Sequence, residues 1–454
     1  MTDRTGHGAP AGPGTRPVPP TPGTRPAPPP LTPTPTPTPR PVLVTLLLAS
    51  TLTVMAGATI SPALPAMRRH FAEVDDIAFL VRLLLTVPAL AIALGAPLVG
   101  VLVDRVGRKP VLVASTLLYA MAGGSGLVLD DVHALLAGRV LLGLAVAGVM
   151  TSATALVADL YEGPERARAL GLQAGAMGFG GVVFLSVGGV LAGLDWRGPF
   201  LLYLVSLPLA VAILLVVREP ARPTAETTDL TSATSTTNAP GAPGAAVVVR
   251  DGLAGRARAL TAGAVGILVL AFTGQLVFYT VPTQLPFHLA GLSGVGAVGS
   301  GLVIASMSAV QAVASTNYGR LAGRSGRAAL TAIVFALLAG GTALLGLARG
   351  VPTVLAGLAL IGTGVGLLVP HLNAWLVSRT PPPARGRMVS GITSALFLGQ
   401  FLSPVAARPF ADGDRLSGVY LAASALAAVM AAAAAAGWLR GRRHPAAAPE
   451  PGSR

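Results

Sequence analysis

The sequence contains no cysteine, and only 11% of its 454 residues are charged. The absence of cysteine excludes disulfide scaffolds, thiolate zinc sites and cysteine nucleophiles. Lysine is also nearly absent, because Lys109 is the single lysine beside 31 arginines. The low charge is accompanied by 52% hydrophobic residues, far above the composition of soluble globular domains. We therefore expect an integral membrane protein rather than a soluble enzyme.

Twelve apolar runs follow one another from residue 42 to residue 438, separated by short polar breaks. Each run has about 20 residues, the length that a helix needs to cross a bilayer. Fifteen of the 39 prolines lie before Val42, and a stretch rich in Thr, Ala and Pro separates the sixth run from the seventh. The predicted organisation is a disordered proline-rich tail over 1–41, a six-helix half over 42–217, a linker over 218–258, a second six-helix half over 259–438 and a tail over 439–454.

The basic residues are concentrated on one side of the predicted membrane. Twelve crossings return the chain to its starting side, and that side receives 24 of the 32 Lys and Arg residues. Cytoplasmic loops of membrane proteins carry such an excess, so we expect both termini and the linker to be cytoplasmic in a multi-pass protein of the cell membrane. The net charge of +14 then requires no nucleic-acid partner.

The two predicted halves resemble each other at a constant spacing. Gly100–Arg108 reads GVLVDRVGR and Gly319–Arg327 reads GRLAGRSGR, an offset of 219 in the numbering. The pattern Pro-x-Arg-x-Arg at Pro164 recurs at Pro383 with the same offset. These coincidences indicate a parallel repeat of six helices, an arrangement found in transporters that bind substrate between two halves.

The loop after the second run resembles the signature loop of the major facilitator superfamily. The residues that carry the resemblance, here called the latch motif, are Gly100, Leu102, Asp104, Arg105, Gly107, Arg108 and Lys109. The resemblance implies an all-α integral membrane protein with the major facilitator fold, 12 transmembrane helices in two six-helix pseudo-symmetric halves. In that family the loop acts as a conformational latch, and Asp159 at the end of the fourth helix is the expected partner of Arg105 or Arg108. The second copy has Gly323 where the acid would be, so we expect only the first half to latch fully.

Two further patterns resemble the proton-coupled drug exporters of this superfamily. Leu135-x-x-x-Arg139-x-x-x-Gly143 is similar to a motif in which the arginine is implicated in proton coupling, although Arg139 could equally extend towards water at the helix end. Arg82 is expected to extend outwards in that way. The fifth helix carries the spaced glycines of the exporter motif at Gly171, Gly180, Gly188 and Gly189, but Phe184 and Leu185 replace its Gly-Pro pair.

No Asp, Glu or Lys lies in the middle of any apolar run, so we expect a mostly apolar substrate cavity. Its candidate lining residues are Gln275, Phe278, Tyr279, Gln311, His371, Asn373 and Gln400. Each could instead form an ordinary interhelical contact. Candidates for proton coupling are Arg139, Asp159 and His371, the histidine because its charge changes near physiological pH.

Together these patterns predict a monomeric secondary transporter, without cofactor or bound metal, that exports a hydrophobic or weakly polar small molecule in exchange for protons. An importer or uniporter of a neutral nutrient on the same fold is the alternative. A membrane-embedded enzyme would need an acidic or histidine-rich loop at the membrane surface, and the longest loop is composed of Thr, Ala and Pro. A sensor or scaffold that does not transport is disfavoured by the intact latch motif.

Overall fold

The computed structural model describes residues 40–219, 245–323, 326–379, 385–411 and 416–443. In these ranges the chain forms twelve helical segments that are long and apolar enough to cross a membrane. The first six are α1 (Arg40–His70), α2 (Ile77–Val106), α3 (Arg108–Leu127), α4 (Val132–Leu160), α5 (Gly163–Leu194) and α6 (Gly198–Val216). The second six are α7 (Ala264–Leu292), α8 (Ala297–Thr316), α9 (Arg327–Gly346), α10 (Val351–Leu376), α11 (Ser390–Phe410) and α12 (Ser417–Arg440).

Several segments contain a change of helix type or continue beyond the membrane-spanning part. A 3-10 turn at Ser61–Ala63 interrupts α1, and α6 begins with the 3-10 helix Gly198–Val205. The helix that contains α7 begins at Ala245, inside the predicted linker. The last prolines of the linker are Pro240 and Pro243, so no proline interrupts helical hydrogen bonding between Ala245 and the start of α7. Residues 1–39 of the tail predicted over 1–41 lie outside the described residues, and α1 already begins at Arg40.

The internal repeat is visible in the helix bounds. The helix Val132–Leu160 and the helix Val351–Arg379 are offset by 219 in the numbering at both ends, and α3 and α9 begin with the same offset, at Arg108 and Arg327. Each set of six segments packs around its own apolar core. The cores meet along α5, whose Leu185 belongs to the second core, and at Phe287 of α7, which packs against both.

Hydrogen bonds between loops define two ends of the helix bundle. One end holds the beginning of α1 and the α2–α3 loop, where Arg108 contacts Asp159 at the end of α4; we call it the terminal face. At the other end, the opposite face, Asp130 between α3 and α4 joins His70 at the end of α1 to Arg197 before α6. The two ends differ in how closely the halves of the protein approach each other.

Candidate functional site

The α2–α3 loop at the terminal face joins the ends of three helices. Arg108 Nε donates to Asp159 Oδ2 at 3.0 Å, which identifies Arg108 as the partner of Asp159 among the two expected arginines. The carboxylate of Glu219, which follows α6, accepts from the backbone N–H groups of Arg108 and Lys109 at 2.7 and 2.6 Å. A carboxylate at this position satisfies unpaired N–H groups and the partial positive charge of the α3 N-terminus.

Gly107 is required at this loop for two reasons. Its φ of +118° disfavours residues with a side chain, and an added Cβ would lie 2.7 Å from Glu219 Oε1. Glu219 was not identified from the sequence. The signal that could have found it is its place as the first acidic residue after the sixth apolar run, on the side of the membrane that holds the latch motif.

The remainder of the latch motif is exposed in this conformation. Leu102, Asp104 and Arg105 are exposed, and an added Cβ at Gly100 would meet no atom within 4 Å. No hydrogen bond joins the Asp104 carboxylate to another residue in the described part of the chain. In this conformation the motif therefore makes contacts within its own half, through the hydrogen bond between Arg108 and Asp159.

Among the motif glycines of α5, Gly189 lies on the seam between the halves, where α5 crosses α8, whereas Gly180 and Gly188 pack against α1 of the same half. At the end near the opposite face, an added Cβ on Gly189 would lie 3.0 Å from Gly301 Cα, and one on Gly188 would lie 2.5 Å from the Thr59 carbonyl oxygen of α1. Gly180 packs against Thr51 of α1. Near the terminal face, Gly171 has open space where a side chain would lie. The seam is tight at the opposite face and parts towards the terminal face.

Polar contacts between the halves reinforce closure at the opposite face. Ser61 Oγ donates to the Pro282 carbonyl oxygen at 2.6 Å, and Arg408 Nη2 donates to Asp76 Oδ2 at 2.6 Å. The prediction that Arg82 extends outwards to water is wrong. Its side chain is buried, with the guanidinium 4.8 Å from the ring centroid of Phe287 in the other half. Apolar helices leave a buried cation few partners, and a ring face is one of them.

Arg139 is also buried rather than extended towards water, with 2% of its surface exposed. Its guanidinium lies 4.9 and 5.0 Å from the ring centroids of Phe200 and Tyr203, and its Nη1 donates to Tyr203 Oη at 2.8 Å. Tyr203 Oη in turn donates to the Ala56 carbonyl oxygen of α1 at 3.3 Å. Two rings and a tyrosine hydroxyl therefore stabilise this charge in place of a carboxylate. The aromatic partners were not identified from the sequence.

The opposite face of the first half is held by a cluster around Asp130. His70 Nε2 and Arg197 Nη2 donate to Asp130 Oδ1 at 2.8 and 2.9 Å. The hydrogen bond from His70, with the nearby charge of Arg197, lowers the pKa of Asp130 below its ordinary value. Trp196 packs between the His70 ring and the Arg197 guanidinium. The cluster ties together the loops that follow α1, α3 and α5.

The structure brings part of the candidate cavity set together. Tyr279 of α7 and Gln400 of α11 both approach Gly57 of α1, where Tyr279 Oη lies 3.0 Å and Gln400 Nε2 lies 3.7 Å from the position that an added Cβ would occupy. Phe278 packs edge-on against Tyr279, with ring centroids 5.4 Å apart. These side chains lie between the halves, next to the middle of α1. Gln275, one helical turn before Tyr279 on α7, is half-buried.

The other candidates lie elsewhere. His371 is buried inside the second half, where its Nε2 is 2.9 Å from Thr331 Oγ1 of α9. Gln311 is half-buried, and its backbone packs against Gly362 and Gly366 of α10, while Asn373 is exposed. No group of three or more His, Asp or Glu side chains is arranged to hold a metal ion within the described ranges.

Comparisons with known proteins agree with this architecture. The family model described as "Major Facilitator Superfamily" matches residues 46–404 and, in a second match, residues 267–454. A crystal structure of a bacterial homolog of the human lysosomal transporter Spinster, in an inward-facing and unoccupied conformation, superimposes with a TM-score of 0.66 at 19% identity, covering 88% of this chain and 96% of that one.

Curated relatives are named as resistance and efflux proteins. The chain is 24% identical to the multi-drug resistance efflux pump PmrA of Streptococcus pneumoniae, covering 82% of this chain and 90% of that protein. It is 35% identical to the class C tetracycline resistance protein of Escherichia coli over 168 residues, which are 35% of this chain and 40% of the relative. Multidrug resistance protein 1 of Bacillus subtilis is 33% identical over 28% of this chain and 33% of its own length. The chain is a multi-pass membrane transporter that belongs to the Major Facilitator Superfamily.

Proposed function

We propose that this transporter exports hydrophobic or weakly polar small molecules in exchange for protons, by alternating access between its two halves. The observation that carries the proposal is the seam between α5 and α8, which is tight at Gly189 and open at Gly171. Two halves that touch at one face and part at the other form one end state of a rocking cycle. The names of the tetracycline resistance and multidrug efflux relatives support export.

The direction of the proposed cycle follows from the distribution of basic residues. The terminal face carries most of the arginines, which identifies it as cytoplasmic by the positive-inside rule. Both termini are then cytoplasmic, and we propose that the transporter works as a monomer whose conformation described above is its inward-open state. The outward-open state requires the contacts of Asp76 with Arg408 and of Arg82 with Phe287 to break, because each pair joins the two halves.

The proposed substrate site lies between the halves around Tyr279, Gln400 and Gly57. The hydroxyl and amide supply a few polar contacts, and Phe278 supplies an aromatic wall. Such a surface suits an apolar molecule with few polar groups, because no carboxylate or ammonium group lies nearby on the spans to bind an ion. Gln275, Gln311 and Asn373 remain proposed lining residues for the other conformations of the cycle.

The proposed proton coupling uses residues at the ends of the bundle. The candidates are Asp159 and His371, whereas the guanidinium of Arg139 maintains the aromatic cluster with Phe200 and Tyr203 of α6. Protonation of Asp159 would weaken its hydrogen bond to Arg108 and loosen the latch loop. We therefore propose Asp159 as the first residue to examine, with His371 second.

Transport into everted membrane vesicles tests this proposal. We expect vesicles energised to an acidic interior to accumulate lipophilic dyes or tetracycline, and accumulation to collapse when a protonophore is added. In reconstituted protein, Asp159→Asn should reduce proton-coupled accumulation while equilibrium exchange of the same substrate persists. Substrate uptake that is independent of the proton gradient would contradict the coupling. Transport confined to neutral nutrients would contradict the substrate class and favour the importer or uniporter.

A further inference from the structure

A cavity of about 190 Å³ lies in the second half near the terminal face, apart from the seam between the halves. Arg327 at the beginning of α9, Ser378 at the end of the α10 helix and Tyr318 between α8 and α9 line it, together with His371 and Trp375. It is large enough to hold a small polyatomic group as well as water.

The internal repeat shows what is missing from this cavity. With the offset of 219 in the numbering, Arg327 corresponds to Arg108 and Ser378 corresponds to Asp159. In the first half, the corresponding arginine and aspartate are joined by the 3.0 Å hydrogen bond described above. In the second half the carboxylate is replaced by a hydroxyl, which donates to the Trp375 carbonyl oxygen at 2.7 Å. The guanidinium is retained, and its negative partner is lost.

No other residue of the second half replaces that charge. The sequence contains no Asp or Glu between Asp251 and Asp412, so the terminal face of this half has no acidic side chain. No ion pair joins Arg327 to another residue among those described. The exposed guanidinium therefore faces a cavity that corresponds in position to the carboxylate of the first half.

The other cavity residues are suited to bind an anion. Thr331 Oγ1 lies 3.0 Å from the Arg327 carbonyl oxygen and forms a 2.9 Å hydrogen bond with His371 Nε2. This bond fixes the imidazole against α9. Arg327 offers a planar set of N–H donors, and Tyr318 offers a hydroxyl group. These donor types match the oxygens of a phosphate group.

We propose that this cavity binds a phosphate ester at the terminal face, which takes the position of the missing carboxylate. The phosphate comes from the headgroup of a lipid in the adjacent leaflet or from a soluble phosphate compound. None of the five residues lies on the seam between the halves, and the proposal requires no role of His371 in proton coupling.

The fluorescence of Trp375 reports on this site directly. The chain has three tryptophans, Trp196, Trp375 and Trp438, so Trp196→Phe with Trp438→Phe leaves the cavity tryptophan alone. The full chain in detergent is titrated with dioctanoyl phosphatidylglycerol and, separately, with inorganic phosphate at constant ionic strength. We expect a saturable change in emission; a response to the lipid alone identifies a headgroup, and a response to inorganic phosphate shows that the phosphate group suffices.

Two variants and one control distinguish a built site from general charge attraction. Arg327→Gln should weaken binding about tenfold or more, since a charge-assisted contact is lost. Ser378→Asp restores the carboxylate of the first half, so it should pair with Arg327 and block binding without destabilising the protein. Arg320→Gln removes the same charge from the same face, and Arg320 lies outside the cavity, so binding should persist.

An absence of any saturable response would overturn the proposal, as would equal affinity in Ser378→Asp and the parent protein. Should the single-tryptophan background fail to fold, isothermal titration calorimetry of the unmodified chain with the same two probes gives the same comparison. Because no substrate or proton gradient is present, a negative result leaves the transport proposal untouched.

Discussion

The guanidinium of Arg408 at the end of α11 lies 2.6 Å from the carboxylate of Asp76 at the beginning of α2, so an ion pair joins the two halves at the opposite face. Both side chains are more than half exposed, and an exposed pair contributes about 1 kcal/mol or less. An energy of that size is enough to bias two end states of similar stability. The pair is therefore placed to tune the conformational equilibrium and has little weight in overall stability.

We predict that Asp76→Asn shifts the protein towards the conformation that is open at the opposite face, by up to about fivefold in population. Asparagine tolerates the left-handed backbone at this position, where φ is 57°, so the charge is removed without new strain. Because the chain has no cysteine, Leu170→Cys with Leu321→Cys can be spin-labelled at two exposed sites near the terminal face. Double electron–electron resonance should show a larger population of short distances.

Asp75→Asn is the matched control, since it removes the same charge from the neighbouring exposed residue. Its distance distribution should equal that of the parent. An unchanged distribution in Asp76→Asn would mean that the pair with Arg408 has no role in the equilibrium.

The contacts across the opposite face show where sequence reasoning stops. Asp76 and Arg408 are 332 residues apart and belong to no repeated motif, so no periodicity or spacing indicates their contact. Arg82 likewise has its ring partner, Phe287, in the other half, and its depth in α2 alone favoured the wrong prediction. Contacts between the halves form in one conformational state and break in another. Because the sequence is the same in every state, it does not indicate which of these contacts is formed.

Local features were more predictable. The lengths of the apolar runs alone indicated twelve spans, because every helix that crosses a bilayer must match its thickness. The repeat offset of 219 also appears in the helix bounds, because it reflects the architecture common to both halves. The contact between Arg108 and Asp159 was one of two expected alternatives, and the choice required the orientation of the α3 N-terminus. The role of Glu219 also required the structure, because it depends on the direction in which α6 ends.

We predict that Gly301→Ala destabilises the closed seam at the opposite face. The added Cβ would lie 2.6 Å from the Leu185 carbonyl oxygen and 2.8 Å from Gly189 Cα, and backbone atoms cannot move aside as a flexible side chain can. The same labelled pair should report a shift away from the conformation seen here, with transport reduced at least severalfold. Gly171→Ala has open space around it and should leave the resting distances unchanged. Equal distributions in both variants would contradict the account of the seam.

Asp104 of the latch motif and Glu219, whose carboxylate binds the α3 N-terminus, should have separable effects. Glu219→Gln removes the charge that accepts from two N–H groups of α3, so we expect a stability loss of about 1 kcal/mol, seen as a lower Tm. Asp104→Asn removes an exposed carboxylate, so Tm and expression should be unchanged while transport falls severely, because the latch acts in the other conformation. Near-normal transport rates in Asp104→Asn would rule out the latch role.

The cluster at Asp130 should make stability depend on pH in the acidic range. Its folded-state pKa is lowered by the hydrogen bond from His70, so the stabilisation is present above the ordinary pKa of about 4 and is lost as the pH falls through the folded value. Asp130→Asn should therefore lower Tm at neutral pH, and the difference from the parent should disappear in strong acid. Asp131→Asn removes the neighbouring charge, keeps an oxygen that can cap α4 and involves no bond to His70, so it serves for comparison. A difference that does not change with pH would contradict this assignment.

The most direct test of the account is proton-coupled transport by the purified protein in proteoliposomes. An imposed pH gradient is followed with an internal pH probe while lipophilic dyes and tetracycline are added in turn. The account predicts that a transported substrate dissipates the gradient in parallel with its own movement, and that Asp159→Asn uncouples the two. Substrate movement with no proton flux in the parent protein would contradict the account.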